Sequence, residues 1–267
     1  MSTVRSSDGT RIGFDRSGSG PPLILVGGAF QYRAIDESTA ELVERLAPAF
    51  TVFHYDRRGR GESGDSPRYA VEREVEDLGA LIEVAGGSAF VFGMSSGGAL
   101  ALEAAASGAA ITKLALYEPP FAVDESSSQA PDNFLDELRR LNAAGRPGDA
   151  VEYFLSTGLG MPAEMVAEMR KEPVWHGFEA VAHTLVYDTT LMEGQDTLLA
   201  ERVPTVTAPV LLLDGGASPP WAAAVVRALA GILPHAERRT LPGQTHEVAP
   251  DALAPVLEGF FGVAARV

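Results

Sequence analysis

The sequence predicts an α/β protein: a mostly parallel central sheet with helices on both faces and a helical segment inserted between two strands. Three observations carry that expectation. Short apolar runs alternate with amphipathic stretches from Pro22 to Tyr117 and again from Pro209 to Phe261. One unit of the alternation, Ala89 to Ser107, reads as strand, tight turn and alanine-rich helix, with Gly93-x-Ser95-x-Gly97 at the bend. From about Phe121 to Pro204 the alternation stops and helical periodicity replaces it.

Taken in order, Val4–Ser6 and Arg11–Arg16 are expected as edge strands around the turn Ser7-Asp8-Gly9-Thr10. Pro22–Val26 follows as a buried strand, stopped by Gly27-Gly28-Ala29-Phe30. A helix is expected over Arg33–Leu46, with Ile35, Leu42, Val43 and Leu46 on one side, and then the strand Thr51–Asp56. After the polar loop Arg57–Arg68, Tyr69–Ala85 carries Val71, Val75, Leu78, Leu81 and Ile82 at core spacing. The strand Ile111–Tyr117 ends at Glu118-Pro119-Pro120. Inside the insertion, helices are expected over Asn133–Ala144, Asp149–Ser156, Ala163–Lys171 and about Trp175–Met192. Pro209–Asp214 resumes the sheet, followed by a helix over Pro220–Leu233, a strand over Ala236–Leu241 and a closing helix over Pro250–Phe261.

The length of 267 residues suits one large α/β domain with an insertion, divided as core 1–120, helical lid 121–204 and core 205–267. A hydrophobic share of 46 % supplies a full core. No run of about 18 apolar residues is present, so no transmembrane helix is expected. The stretch Met1–Asp8 lacks the apolar centre of a signal peptide, and a soluble, cytoplasmic protein is expected. Zero cysteines exclude disulfides, thiolate metal sites and a cysteine nucleophile. A net charge of −15 argues against nucleic acid or an anionic membrane as partner. The partner expected is a small-molecule substrate, with a homodimer admitted.

No metal is expected, since neither H-E-x-x-H nor an acidic calcium-loop spacing occurs. Gly59-Arg60-Gly61-Glu62-Ser63-Gly64 fits the dinucleotide fingerprint after a strand. A Rossmann helix should open inside that motif, however, and Asp65-Ser66-Pro67 prevents it, so no cofactor is expected. The loop reads instead as a structural turn tied by its arginines.

The order of elements, the bend at Ser95, the loop Asp56–Ser63 and the late Gly243-Gln244-Thr245-His246 together resemble the α/β-hydrolase superfamily. The resemblance covers nearly the whole chain, and is weakest in the insertion. Within that superfamily the chain looks like the small, cofactor-free, lidded esterases, lactonases, C–C hydrolases and perhydrolases. An α/β-hydrolase fold is implied, with Ser95 as nucleophile on a nucleophile elbow and His246 as its base. Of the other histidines, His54 lies in a strand, His235 on a surface turn, and His176 and His183 in the lid.

The third member departs from the pattern. The family usually places an aspartate just beyond the strand that here ends at Leu213, and this loop carries Ser218 instead. Glu118, at an alternative position some members use, is the acid expected, with Asp214 as the alternative and a site with no acid also open. The resemblance implies an oxyanion hole from the backbone N–H groups of Ser96 and Ala29, although Gly27-Gly28 replaces the common His-Gly. Phe30, Trp175, Phe178, His183, Tyr187 and Met192 are candidates for the pocket wall, favouring an apolar, small to medium substrate. The chemistry expected is hydrolysis of a carboxylic ester, lactone or similar carbonyl through an acyl-enzyme. Other chemistry at the same pair, such as C–C cleavage, perhydrolysis or a lyase reaction, and ligand binding with little turnover stay open.

Overall fold

The protein is described from a computed structural model covering residues 2–124 and 130–262. Residues 125–129 of the expected lid lie outside the described residues. Eight strands form one sheet in the order β1-β2-β4-β3-β5-β6-β7-β8. They are β1 Ser2–Arg5, β2 Arg11–Ser17, β3 Pro22–Val26, β4 Thr51–Tyr55, β5 Ala89–Met94, β6 Ile111–Tyr117, β7 Val210–Gly215 and β8 Ala236–Leu241. β1 and β2 run antiparallel at one edge, and all pairings from β4 to β8 are parallel.

Because strand side chains alternate, each central strand feeds two cores. Ile24, Val91, Leu114 and Leu212 pack with α2 Val71–Val84, α3 Ser96–Ala106 and the helix Pro220–Ile232. Leu23, Leu25, Phe92, Ala115 and Leu211 face α1 Glu37–Leu46 and the helix Pro250–Phe261 on the opposite side. These strands are therefore near-continuous apolar runs rather than alternating ones, with Thr112, Lys113 and Asp214 as the polar exceptions.

Between β6 and β7 the described residues form helices only. They are α4 Phe134–Ala143, α5 Pro147–Tyr153, α6 Ala163–Met169, α7 Val174–Ala180, α8 Leu185–Met192 and the single turn α9 Gln195–Thr197, joined by short π and 3₁₀ turns. Then α10 Pro220–Ile232 and α11 Pro250–Phe261 complete the chain. The insertion has its own core of Leu138, Leu141, Val151, Trp175 and Leu185, to which Phe30 of the main sheet's loop is added.

Several boundaries differ from expectation, three of them for clear local reasons. The first strand ends at Arg5, since Ser6 N–H turns to the Thr10 carbonyl at 2.8 Å and closes the hairpin. α1 starts at Glu37, because Asp36 caps it by accepting from Thr39 N–H. The stretch 175–192 is split at Val181, whose carbonyl accepts from the Thr184 N–H at 2.9 Å and the Thr184 hydroxyl at 2.7 Å, a 3₁₀ turn in place of the α-helical bond.

The register fixes the site. Met94, Tyr117, Leu213 and Arg239 lie side by side across β5, β6, β7 and β8. Ser95, Glu118 and Asp214, each one residue further on, therefore stand level at the carboxyl edge of the sheet. The bend at Ser95 needs its glycines: a Cβ on Gly93 would stand 2.6 Å from the Gly97 carbonyl oxygen, and one on Gly97 would strike the carbonyls of Val26 and Gly27. Gly93→Ala is accordingly expected to lower unfolding free energy by about 1–3 kcal/mol through overpacking against backbone. Urea denaturation measures it, and an unchanged midpoint would contradict the close approach.

Candidate active site

Ser95 links β5 to α3 with φ 53° and ψ −127°, a conformation costly for a residue with a Cβ. The other described non-glycine residues with positive φ are Phe30 at 63° and Glu118 at 44°. All three lie in the loops at this sheet edge. The Ser95 N–H is held by the Tyr117 carbonyl at 2.9 Å, which ties the bend to the neighbouring strand.

Glu118 keeps its N–H on the Leu213 carbonyl at 3.0 Å, turns the chain with a left-handed backbone and is buried. Its Oε1 accepts from Gly215 N–H at 2.8 Å, and its Oε2 lies 2.7 Å from His246 Nδ1. An ionised carboxylate only accepts, so Nδ1 is the donor, and in the neutral imidazole the lone pair is then on Nε2. Burial pushes the Glu118 carboxyl up, but His246, the nearby Ser218 hydroxyl and the Gly215 N–H outweigh it and hold it below its ordinary value. The Ser218 hydroxyl is buried against this carboxylate without completing a well-aligned hydrogen bond. Tyr117 donates its hydroxyl to the Thr245 carbonyl at 2.5 Å, fixing the residue before His246. The Trp221 ring, 5.8 Å away between centroids, flanks the imidazole.

Asp214 goes elsewhere. It stays in the ladder, and its carboxylate accepts from Thr240 Oγ1 on β8 at 3.0 Å. Burial and the neighbouring Glu118 charge raise its carboxyl, with Thr240 opposing them. Ser95 is half-buried and the His246 side chain is 39 % exposed, so solvent reaches both. Among the described residues no hydrogen bond joins Ser95 Oγ to His246; such bonds commonly tighten only on substrate binding.

The loop after β3 is gripped on every side. Gly28 N–H donates to Gln31 Oε1 at 2.5 Å, and Gln31 Nε2 reaches Asp36 at 2.8 Å. Arg57 Nη1 meets the Gly27 carbonyl at 3.3 Å, and Arg60 Nη1 meets that of Gly28 at 2.5 Å. The loop presses on the bend, since a Cβ on Gly28 would stand 3.0 Å from Ser95 Cβ. Beside Gly27 the space is filled by Gln31, whose Cβ would lie 3.1 Å from an added one. Among the described residues neither Ala29 N–H nor Ser96 N–H is taken up by another group, and both are free to donate.

Arg57, Arg58 and Arg60 of the loop after β4 point inward. Arg58 pairs with Asp77 at 2.7 Å and Asp8 at 2.8 Å, and Arg57 with Glu74 at 2.7 Å. Arg57 and Arg60 also share Asp188 on α8, at 2.7 and 2.6 Å, and Ser96 Oγ donates to the same carboxylate at 2.7 Å. Burial pushes the Asp188 carboxyl up, and the two guanidiniums and Ser96 hold it below its usual value.

The expected pocket residues divide. Phe178 lies 4.7 Å from Phe30, whose ring also meets Phe154 edge-on at 5.5 Å. Trp175 is buried in the insertion's own core, its Nε1 donating to Glu179 at 3.1 Å. His183 and Tyr187 turn to Asp65, at 3.5 and 2.8 Å, and the Tyr187 ring stacks on Tyr69. Met192 packs on the main core. Among the described residues no group of three or more metal-ligating side chains converges, and no helix is long and apolar enough to cross a membrane.

A model of the alpha/beta hydrolase family matches residues 23–257. The chain belongs to that family. It is 56 % identical to an alpha/beta hydrolase from Sphaerobacter thermophilus of known crystal structure, with a TM-score of 0.91 and coverage of 98 % of this chain and 100 % of that one. It is 28 % identical to the 2-(acetamidomethylene)succinate hydrolase of Mesorhizobium japonicum, over 91 % of this chain and 88 % of that protein. It is 30 % identical to the pimeloyl-[acyl-carrier protein] methyl ester esterase of Xanthomonas axonopodis, over 87 % and 90 %.

Within this alpha/beta hydrolase, Asp188, Gln31 and Trp221 are site residues that the sequence reading passed over. Asp188 had a signal: a carboxylate three residues from both Leu185 and Leu191, on the apolar side of its helix. Gln31 and Trp221 had none.

The lowered Glu118 carboxyl has a consequence for stability. Its charged form stabilises the fold at pH above its ordinary 4.5, and the contribution fades as pH falls through the lower folded value. The stability gap between wild type and Glu118→Gln should therefore narrow below pH 4.5 in urea titrations run from about pH 7 to about pH 3. A gap constant over that range would contradict the buried carboxylate.

Proposed function

We propose that this hydrolase-family chain catalyses acyl transfer to water on a carboxylic ester, lactone or similar carbonyl of a small to medium, apolar molecule. The observation that carries the reading is the buried Glu118 carboxylate 2.7 Å from His246 Nδ1, at the sheet edge where Ser95 is held in a strained bend. Glu118 keeps the imidazole in the tautomer whose Nε2 accepts a proton, and stabilises the imidazolium once it forms.

In this reading His246 takes the Ser95 hydroxyl proton as the oxygen attacks the carbonyl carbon. The N–H groups of Ala29 and Ser96 receive the oxyanion. Collapse of the tetrahedral intermediate expels the alcohol, which takes the proton back from His246, and leaves an acyl-Ser95 ester. His246 then removes a proton from water, the resulting hydroxide attacks the ester, and the acid is released with Ser95 reprotonated. The insertion 121–204 serves as a lid, with Phe30 and Phe178 as an apolar wall. One relative is named as a methyl ester esterase and another as a hydrolase, which supports carbonyl hydrolysis here. The Glu118–His246 bond weighs against ligand capture without turnover, the alternative that a serine at 218 leaves open.

Steady-state assays on a panel of p-nitrophenyl esters test the roles. Ser95→Ala should abolish turnover while circular dichroism stays unchanged. Glu118→Gln should lose on the order of a thousandfold or more in kcat, with Asp214→Asn close to wild type. The reverse order of the two carboxylate variants, or activity retained without Ser95, would overturn the assignment.

A further inference from the structure

We infer that Asp188 and Arg60 are positioning residues that aim the oxyanion donor, so that seating of helix α8 builds the site beneath it as well as covering it. The inference rests on the proposed roles of Ala29 and Ser96. Its geometric basis is one peptide unit. The Gly28 carbonyl and the Ala29 N–H are opposite ends of the same planar trans peptide, so holding the oxygen fixes the direction of the N–H. Arg60 Nη1 holds that oxygen at 2.5 Å. A charged donor on the carbonyl also polarises the amide and makes its N–H a stronger donor.

Arg60 in turn is held from the insertion. Its Nη2 donates to Asp188 Oδ2 at 2.6 Å, and its Nε to Thr184 Oγ1 at 3.1 Å. The other oxygen of Asp188 accepts from Ser96 Oγ and from Arg57 Nη1, both at 2.7 Å. Arg57 Nη1 reaches the Gly27 carbonyl as well, at 3.3 Å. One carboxylate on α8 is thus the shared acceptor for the side chain of one proposed donor residue and for both guanidiniums that grip the loop carrying the other. The four buried charges balance, with Arg57 and Arg60 against Glu74 and Asp188. None of these side chains is given a role in proton transfer, so their effect on rate would pass through the two N–H groups.

The test separates positioning from simple structural support. Asp188→Asn leaves one buried positive charge uncompensated; Arg60→Met combined with Asp188→Asn restores the balance but leaves the Gly28 carbonyl ungripped. For each variant, kcat and KM on p-nitrophenyl acetate, the affinity for phenylboronic acid (which forms a tetrahedral adduct on the serine) and the melting temperature are measured. The double variant should regain melting temperature yet keep kcat and boronate affinity reduced together by roughly ten- to hundredfold, part of what outright loss of an oxyanion donor costs. KM should move little, since the interaction is made in the transition state. A double variant with wild-type kcat and boronate affinity would overturn the inference, showing that the network only supports the fold. Wild-type protein inert to both ester and boronate would instead remove the Ser95 reading, and this inference with it.

Discussion

The hydrogen bond between the Glu118 carboxylate and His246 joins the end of β6 to the loop after β8, across the intervening strand β7. A buried carboxylate without partners would be expelled or protonated, so this contact demands its surroundings. Gly215 must offer its N–H from the end of β7, and the backbone at Glu118 must enter the left-handed region to swing the side chain over the strand. The parallel register makes this feasible, because Tyr117 and Leu213 are side by side and Gly215 follows two residues later. Tyr117 then serves both neighbours, its carbonyl holding Ser95 and its hydroxyl holding the loop before His246.

A second constraint comes from charge. Arg57, Arg58 and Arg60 are each about 1 % exposed, an unusual concentration of buried guanidiniums. Each has at least one carboxylate within 2.8 Å. Desolvation makes such pairs weak sources of net stability, whereas breaking one leaves an uncompensated charge. Their value lies in geometry: the fork of a guanidinium reaches a carboxylate and a backbone carbonyl at once. Asp188 joins the insertion to the loop after β4 by a polar contact, and Phe30 joins it to the loop after β3 by an apolar one.

The core elements were legible in the sequence because buried parallel strands are short, apolar and bounded by glycine or proline. The bend at Ser95 was legible because its glycines answer to a steric demand that can be stated before any coordinates exist. Glu118 could be put ahead of Asp214 from its place after β6, but what separates the two is side-chain direction, which the sequence does not carry. The two stand level in register, and only the positive φ at 118 and the Thr240 partner at 214 separate them. The contacts of the candidate pocket residues were the least legible part. Trp175, His183, Tyr187 and Met192 share the apolar or aromatic character of a wall, yet periodicity cannot say which face of a broken helical segment meets which neighbour. Asp188 carried a readable oddity, an acid among leucines, whose partners lay between 92 and 131 residues away.

Labelling with a fluorophosphonate, followed by intact-mass and peptide analysis, tests most directly whether this edge of the sheet activates a serine. The account predicts one phosphonyl group per chain, located on Ser95, and a severe slowing of its attachment in His246→Ala. Label on another residue, or equal labelling with the imidazole removed, would contradict it.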